Sequence, residues 1–158
     1  MKNKKDNIAE YILYLWQIED YLRAFPAQAE ATPELHELGE MMHREGVVEK
    51  GHIQLAKNAL AELEELHLLL LDKEATYRAA VLRLTPSLAL FKSKTDRPAM
   101  SDVEACFVLL YQIMLLHLQH KPVSADTEAV QQQVTRLLQY LSRTYRDTRD
   151  AELEENNI

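Results

Sequence analysis

The chain has 158 residues, 47% of them hydrophobic and 27% charged, which suits one domain with a sizeable core. With only 3 Gly and 5 Pro it lacks the turn residues that a sandwich or barrel of short strands requires, so a mainly β fold is excluded. Lys and Arg total 18 against 25 Asp and Glu, and the formal charge of -7 argues against nucleic acid or an anionic membrane surface as partner.

The pattern along the chain predicts an all-α, single-domain bundle of five to six helices over 1–158, with 1–6 and 148–158 expected to fray. The opening MKNKK and the apolar stretch from Ile8 to Trp16 imitate a secretion signal, but Asp6, Glu10, Glu19 and Asp20 interrupt it at amphipathic spacing. It is instead expected to be a first helix over Ile8 to Phe25, with Asn7 and Glu10 spaced as a capping box and Pro26 as its stop. Residues 26–32 read as a loop. Thr32 as cap, Pro33 in the first turn and Gly46 past the end mark a second, short helix. A third begins near Glu49 to His52 and ends near Asp72, with Ile53, Ala56, Leu60, Leu63, Leu66 and Leu70 on one face. In the fourth, from Tyr77 to Phe91, Pro86 predicts a kink or a split around Thr85. Residues 93–100 read as a second loop.

Ser101 with Glu104 caps a fifth helix that continues to about His120 and is apolar almost all round, so near 102–120 it is the expected central helix. Its longest uncharged stretch, Ala105 to Leu118, is too short to span a bilayer. Ser124 or Asp126 opens the sixth helix, whose stripe runs through Val130, Val134, Leu137, Leu138, Leu141 and Tyr145. The lone Cys106 makes no internal disulfide and favours a reducing, cytoplasmic setting.

Candidate chemistry lies where ionisable groups interrupt apolar faces, because burying them costs free energy unless a partner or a task compensates. Glu19 projects to the middle of the first helix's apolar arc, with Arg23 one turn on and able to pair with it. His52 and His67 fall on the apolar face of the third helix, and His117 projects among Cys106, Leu110, Ile113 and Met114. If Glu19, Arg23, His52, His67 and His117 meet in one cavity, that cavity is the expected ligand site; if each finds its own partner, they are structural. Glu40 with His43 and Glu64 with His67 match the Glu-x-x-His spacing of carboxylate-bridged metal bundles, a weaker reading because Glu is abundant here. No phosphate loop, Cys pair or nucleophile elbow is present, so no catalytic residue and no cofactor is expected. Acids dominate from Glu30 to Glu65. Lys73, Arg78, Arg83, Lys92, Lys94 and Arg97 form a basic set, either a solvated face or a contact for an acidic partner or a second copy.

The stretches NIAEYILYLWQIEDYLRA, MMHREGVVEKGHIQLAKN, LHLLLL and DVEACFVLLYQIMLLHLQHK resemble the bacterial family called domain of unknown function 4924, over most of the chain. Trp16, Glu19, Arg44, Glu45, Gly46, Lys50, Gly51, His52, His67 and Cys106 lie within them, while Phe25 to Gly39 is shorter than the family pattern. The resemblance implies a small all-helical protein and brings no catalytic residues with it. Together these readings favour a non-enzymatic helical binding or scaffold protein. The alternatives are a small-ligand binder or enzyme using the Glu/Arg/His set, and a homodimer built on the first or the sixth helix, the first carrying Tyr11, Tyr14, Tyr21 and Phe25 beyond its main face.

Overall fold

The computed structural model describes residues 2–157, which are all-helical: six α-helices and one 3-10 turn, with no strand among the described residues. By backbone packing the chain divides into two compact units, one up to Glu62 and one from Leu63 onward.

In the first unit, α1 (Ile8–Ala24) starts where the Asn7 side chain accepts a hydrogen bond from the Glu10 N–H at 3.1 Å, and buries Ile8, Ile12, Leu15 and Leu22. The expected loop after Phe25 is instead a 3-10 turn, Pro26–Glu30, started by the fixed φ of Pro26. It packs on α1 and on α2 (Pro33–Arg44), where Gly39 allows the approach: a Cβ there would stand 3.2 Å from Ala29 Cβ. Thr32 caps α2 as expected. The helix ends in a Schellman motif, with Gly46 at φ 70°, its N–H on the His43 carbonyl and that of Val47 on the Met42 carbonyl. α3 (Gln54–Lys73) begins later than its apolar periodicity suggests, because Gly51 at φ 91° keeps the chain in a turn up to Ile53.

In the second unit the rest of α3 is followed by α4 (Ala75–Ser93), α5 (Asp102–Leu118) and α6 (Ala125–Asn156). α4 runs unbroken through Pro86, contrary to a split. The Leu82 carbonyl that loses its donor there lies on an exposed stretch open to water, and Thr85 Oγ1 bonds back to the Val81 carbonyl at 3.0 Å. α5 packs on α4 and α6 and buries Val103, Ala105, Cys106, Phe107, Leu109 and Ile113. Its last turn is open, with Leu118 67% exposed. The connection before it is pinned by Lys92–Asp102 and Arg97–Glu104 ion pairs, each 2.6 Å. Of the two expected caps for α6, Ser124 serves, accepting from the Thr127 N–H at 3.1 Å, and the helix continues as far as Asn156. No helix among the described residues is long and apolar enough to cross a membrane.

Candidate functional site

The five interrupting residues do not all share one cavity. Glu19, Arg23 and His52 meet in the first unit, around the turn that leads into α3. The free N–H groups opening that helix need acceptors, and Ile53, which stands at the cap position, has no side-chain oxygen to offer. Two carboxylates from elsewhere supply them. Glu19 Oε2 accepts from the Ile53 N–H and Glu45 Oε1 from the Gln54 N–H, each at 2.6 Å. Glu19 is 1% exposed, and its other oxygen accepts from His52 Nδ1 at 2.7 Å. The His52 ring stacks on Trp16 with centroids 4.6 Å apart.

Arg23 does not pair with Glu19, a correction to the sequence expectation. Its guanidinium leaves the buried face, bonds Asp20 at 3.0 Å, and donates to the Val47, Val48 and Gly51 carbonyls. The turn carries carbonyls that no helix satisfies, and a fork of donors suits them better than a carboxylate already engaged. In this cluster both Glu19 oxygens, His52 Nδ1 and the Arg23 guanidinium have partners within the first unit.

His67 has a different partner, Tyr77 on α4 in the second unit, with Nδ1 and Oη 2.6 Å apart and both residues buried. Burial, offset in part by Asp102, lowers the imidazole pKa, so the ring is neutral at pH 7. His117 does not join the others: it is exposed in the last turn of α5, the place where a basic side chain suits the helix dipole. Of the proposed metal set, Glu40 and His43 are exposed on α2 and belong to the other unit from Glu64 and His67. Among the described residues no group of three or more His, Cys, Asp or Glu is arranged to hold a metal ion. The i,i+3 spacing aligns each pair on its own helix and carries no information about the other pair.

A hollow of about 460 Å³ in the first unit is lined by Arg23, Glu30, His36, Glu40 and His43, where acids lie beside the one arginine, and a groove of the same volume between α4 and α6 is open to an outside molecule. Thr76, Tyr77, Ala80, Arg83 and Leu84 line one side; Gln133, Arg136, Leu137, Tyr140 and Arg143 line the other. The Tyr77 and Tyr140 rings stack with centroids 5.8 Å apart, and the Tyr140 hydroxyl donates to the Glu74 carboxylate. Both phenols are held above their ordinary pKa, Tyr77 mainly by burial and Tyr140 mainly by its bond to Glu74. Elsewhere Arg23, Arg78, Arg97, Arg146 and Arg149 bond carboxylates or carbonyls. Arg83, Arg136 and Arg143 form no salt bridge among the described residues.

A family model described as a domain of unknown function, DUF4924, matches residues 1–35 and 26–152. The chain belongs to this family. No curated protein and no solved structure matches it. The family description names no activity, so membership transfers no site residue, and the geometry alone must say what the DUF4924 fold offers here.

Of the groove, sequence reasoning offered only Arg83 as a contact for a partner, within a basic set, and read Leu137 as core. The signal for the rest was present: Gln133, Arg136, Tyr140 and Arg143 recur at steps of three and four, a polar stripe beside the apolar one on α6. What the pattern lacked was the knowledge that α4 would lie opposite.

Proposed function

We propose that this protein is a non-enzymatic binding protein whose α4–α6 groove takes an anionic ligand, a phosphate or carboxylate group carried on an aromatic body. The observation that carries the reading is Arg83, Arg136 and Arg143 lining one groove without a salt bridge to any described carboxylate, in a chain of net charge -7. A surface with surplus acids has many ways to pair its arginines, so an unpaired set beside aromatic rings favours an anion from outside. The volume, about 460 Å³, falls in the range of small-molecule sites.

The chemistry of the lining favours holding over turnover. Guanidiniums do not release protons, and the raised phenols of Tyr77 and Tyr140 stay protonated at neutral pH and are engaged by His67 and Glu74, so the groove's lining offers guanidinium donors and ring faces. A cytoplasmic setting belongs to the same reading, and the Cys106 thiol, pushed up to about 12 by burial, takes no part in the groove's chemistry.

Calorimetry with phenyl phosphate as probe tests this. One saturable site is expected, weakened by salt and by roughly tenfold or more in R136A/R143A, since charge-assisted bonds to a phosphate are the strong ones. A flat titration, or equal affinity in the double variant, would overturn it.

A further inference from the structure

α6 is longer than the helices it packs on. Its 32 residues extend about 48 Å, against about 28 Å for α4 and about 26 Å for α5, at 1.5 Å per residue. Its last buried side chain is Tyr145. Residues 146–156 add roughly three further turns that bury no side chain, a length that is marginal as an isolated helix in water. Ser142, Tyr145, Arg149 and Leu153 follow one another at steps of three and four, so Leu153, 49% exposed, prolongs the buried face beyond its own core. Asp150, Glu152 and Glu155 surround it. The segment carries five acids against Arg146 and Arg149, which hold Asp147 and Glu152 at 3.3 Å, so a net negative charge surrounds Leu153.

The α4–α6 groove has the opposite character, with Leu84, Leu137 and Tyr140 along the floor and Arg83, Arg136 and Arg143 around them. We infer that the groove binds residues 146–156 of a second copy of this chain, so that self-association and the uptake of a small anion compete for the same arginines. The contact must be between molecules. Arg136 and Arg143 stand on the same continuous helix as the acidic stretch, and Glu152 lies about 13 Å further along the axis than Arg143, so one α6 cannot fold back on itself without breaking. Each copy carries both a groove and an acidic stretch, so two copies with their α6 helices antiparallel make both contacts at once and close as a two-fold dimer. In that arrangement Leu153 covers the ring and leucines of the groove, and the carboxylates meet the guanidiniums.

The inference rests on the groove being an anion receptor, and the experiment separates the two. Sedimentation equilibrium of the full chain at low salt should give a dimer that dissociates as salt rises or phenyl phosphate is added. E152K/E155K and R136E/R143E should each weaken the dimer by at least about a hundredfold, because like charges then face each other across the interface. These positions are exposed, and mixing the two variants restores opposite charges on both contacts, so a recovered heterodimer excludes misfolding as the cause of the loss. A wild-type chain that stays monomeric, or charge reversals that leave the dimer intact, overturns self-docking. If the monomer still takes up phenyl phosphate, the receptor reading stands and only the partner is wrong; a charge-sensitive dimer that ignores phenyl phosphate keeps self-docking and removes the small-anion receptor.

Discussion

The two polar clusters of this protein are built on opposite rules. Around Glu19 the buried carboxylate bonds the Ile53 N–H and His52 Nδ1, and the Arg23 guanidinium bonds carbonyls of the turn before α3. Around Arg136 and Arg143 exposed cations line a groove and form no salt bridge among the described residues, the nearby Glu74 carboxylate being held by the Tyr140 hydroxyl. Buried polar groups with complete partner sets specify a fold, whereas charges left unmatched at the surface cost the fold little and are available for recognition. The sequence left the inward-facing groups open between a shared ligand site and separate structural partners, and the partners of Glu19, Arg23 and His67 are of the second kind.

The largest effect that could break this comparison is on stability. Glu19→Ala should cost roughly 3–5 kcal/mol, because it strands the Ile53 N–H and His52 together, and urea unfolding will measure it. A loss below about 1 kcal/mol, the value of an exposed pair, would mean the cluster is not structural. Next comes Tyr77→Phe, which leaves His67 Nδ1 buried without its partner and should cost roughly 1–3 kcal/mol.

The response to pH sharpens the same point. Burial lowers the His67 pKa from its ordinary 6.5, so protons bind the unfolded chain preferentially; its contribution is complete above pH 6.5 and is lost as pH falls below it. Cys106 is raised from 9.0 to about 12, so its contribution is complete below pH 9.0 and is lost as pH rises toward 12. Melting temperatures should therefore fall on both flanks, with a shallower acid flank in His67→Gln and a shallower alkaline flank in Cys106→Ala. Smallest of all is the effect of R136A/R143A on folding, expected within about 0.5 kcal/mol of the parent, while the same substitutions weaken phenyl phosphate binding about tenfold. A large destabilisation there would make the arginines structural and erase the distinction.

Much of the fold could be read from local signals. Asn7, Thr32, Ser101 and Ser124 all accept the hydrogen bonds their spacing implied, since an N-cap depends only on residues a turn apart. The 3-10 turn at Pro26–Glu30 escaped detection because five residues hold too little periodicity to register. At Pro86 the rule that proline breaks a helix met a position where the lost bond lies in water and a neighbouring threonine hydroxyl bonds back to the helix. Glu19 and His67 are buried as their helical phase implied, and His117 is not, because the last turn of α5 is left uncovered.

By itself the sequence determined which residues would coil and which side of each coil would be dry, because both depend on neighbours three or four positions apart. Tertiary structure alone decided the partners: that Glu19 would cap a helix more than thirty residues away, that Arg23 would hold carbonyls rather than that acid, and that arginines from α4 and α6 would face one another. Such choices depend on where separate helices come to rest, and no periodicity within one helix carries that information.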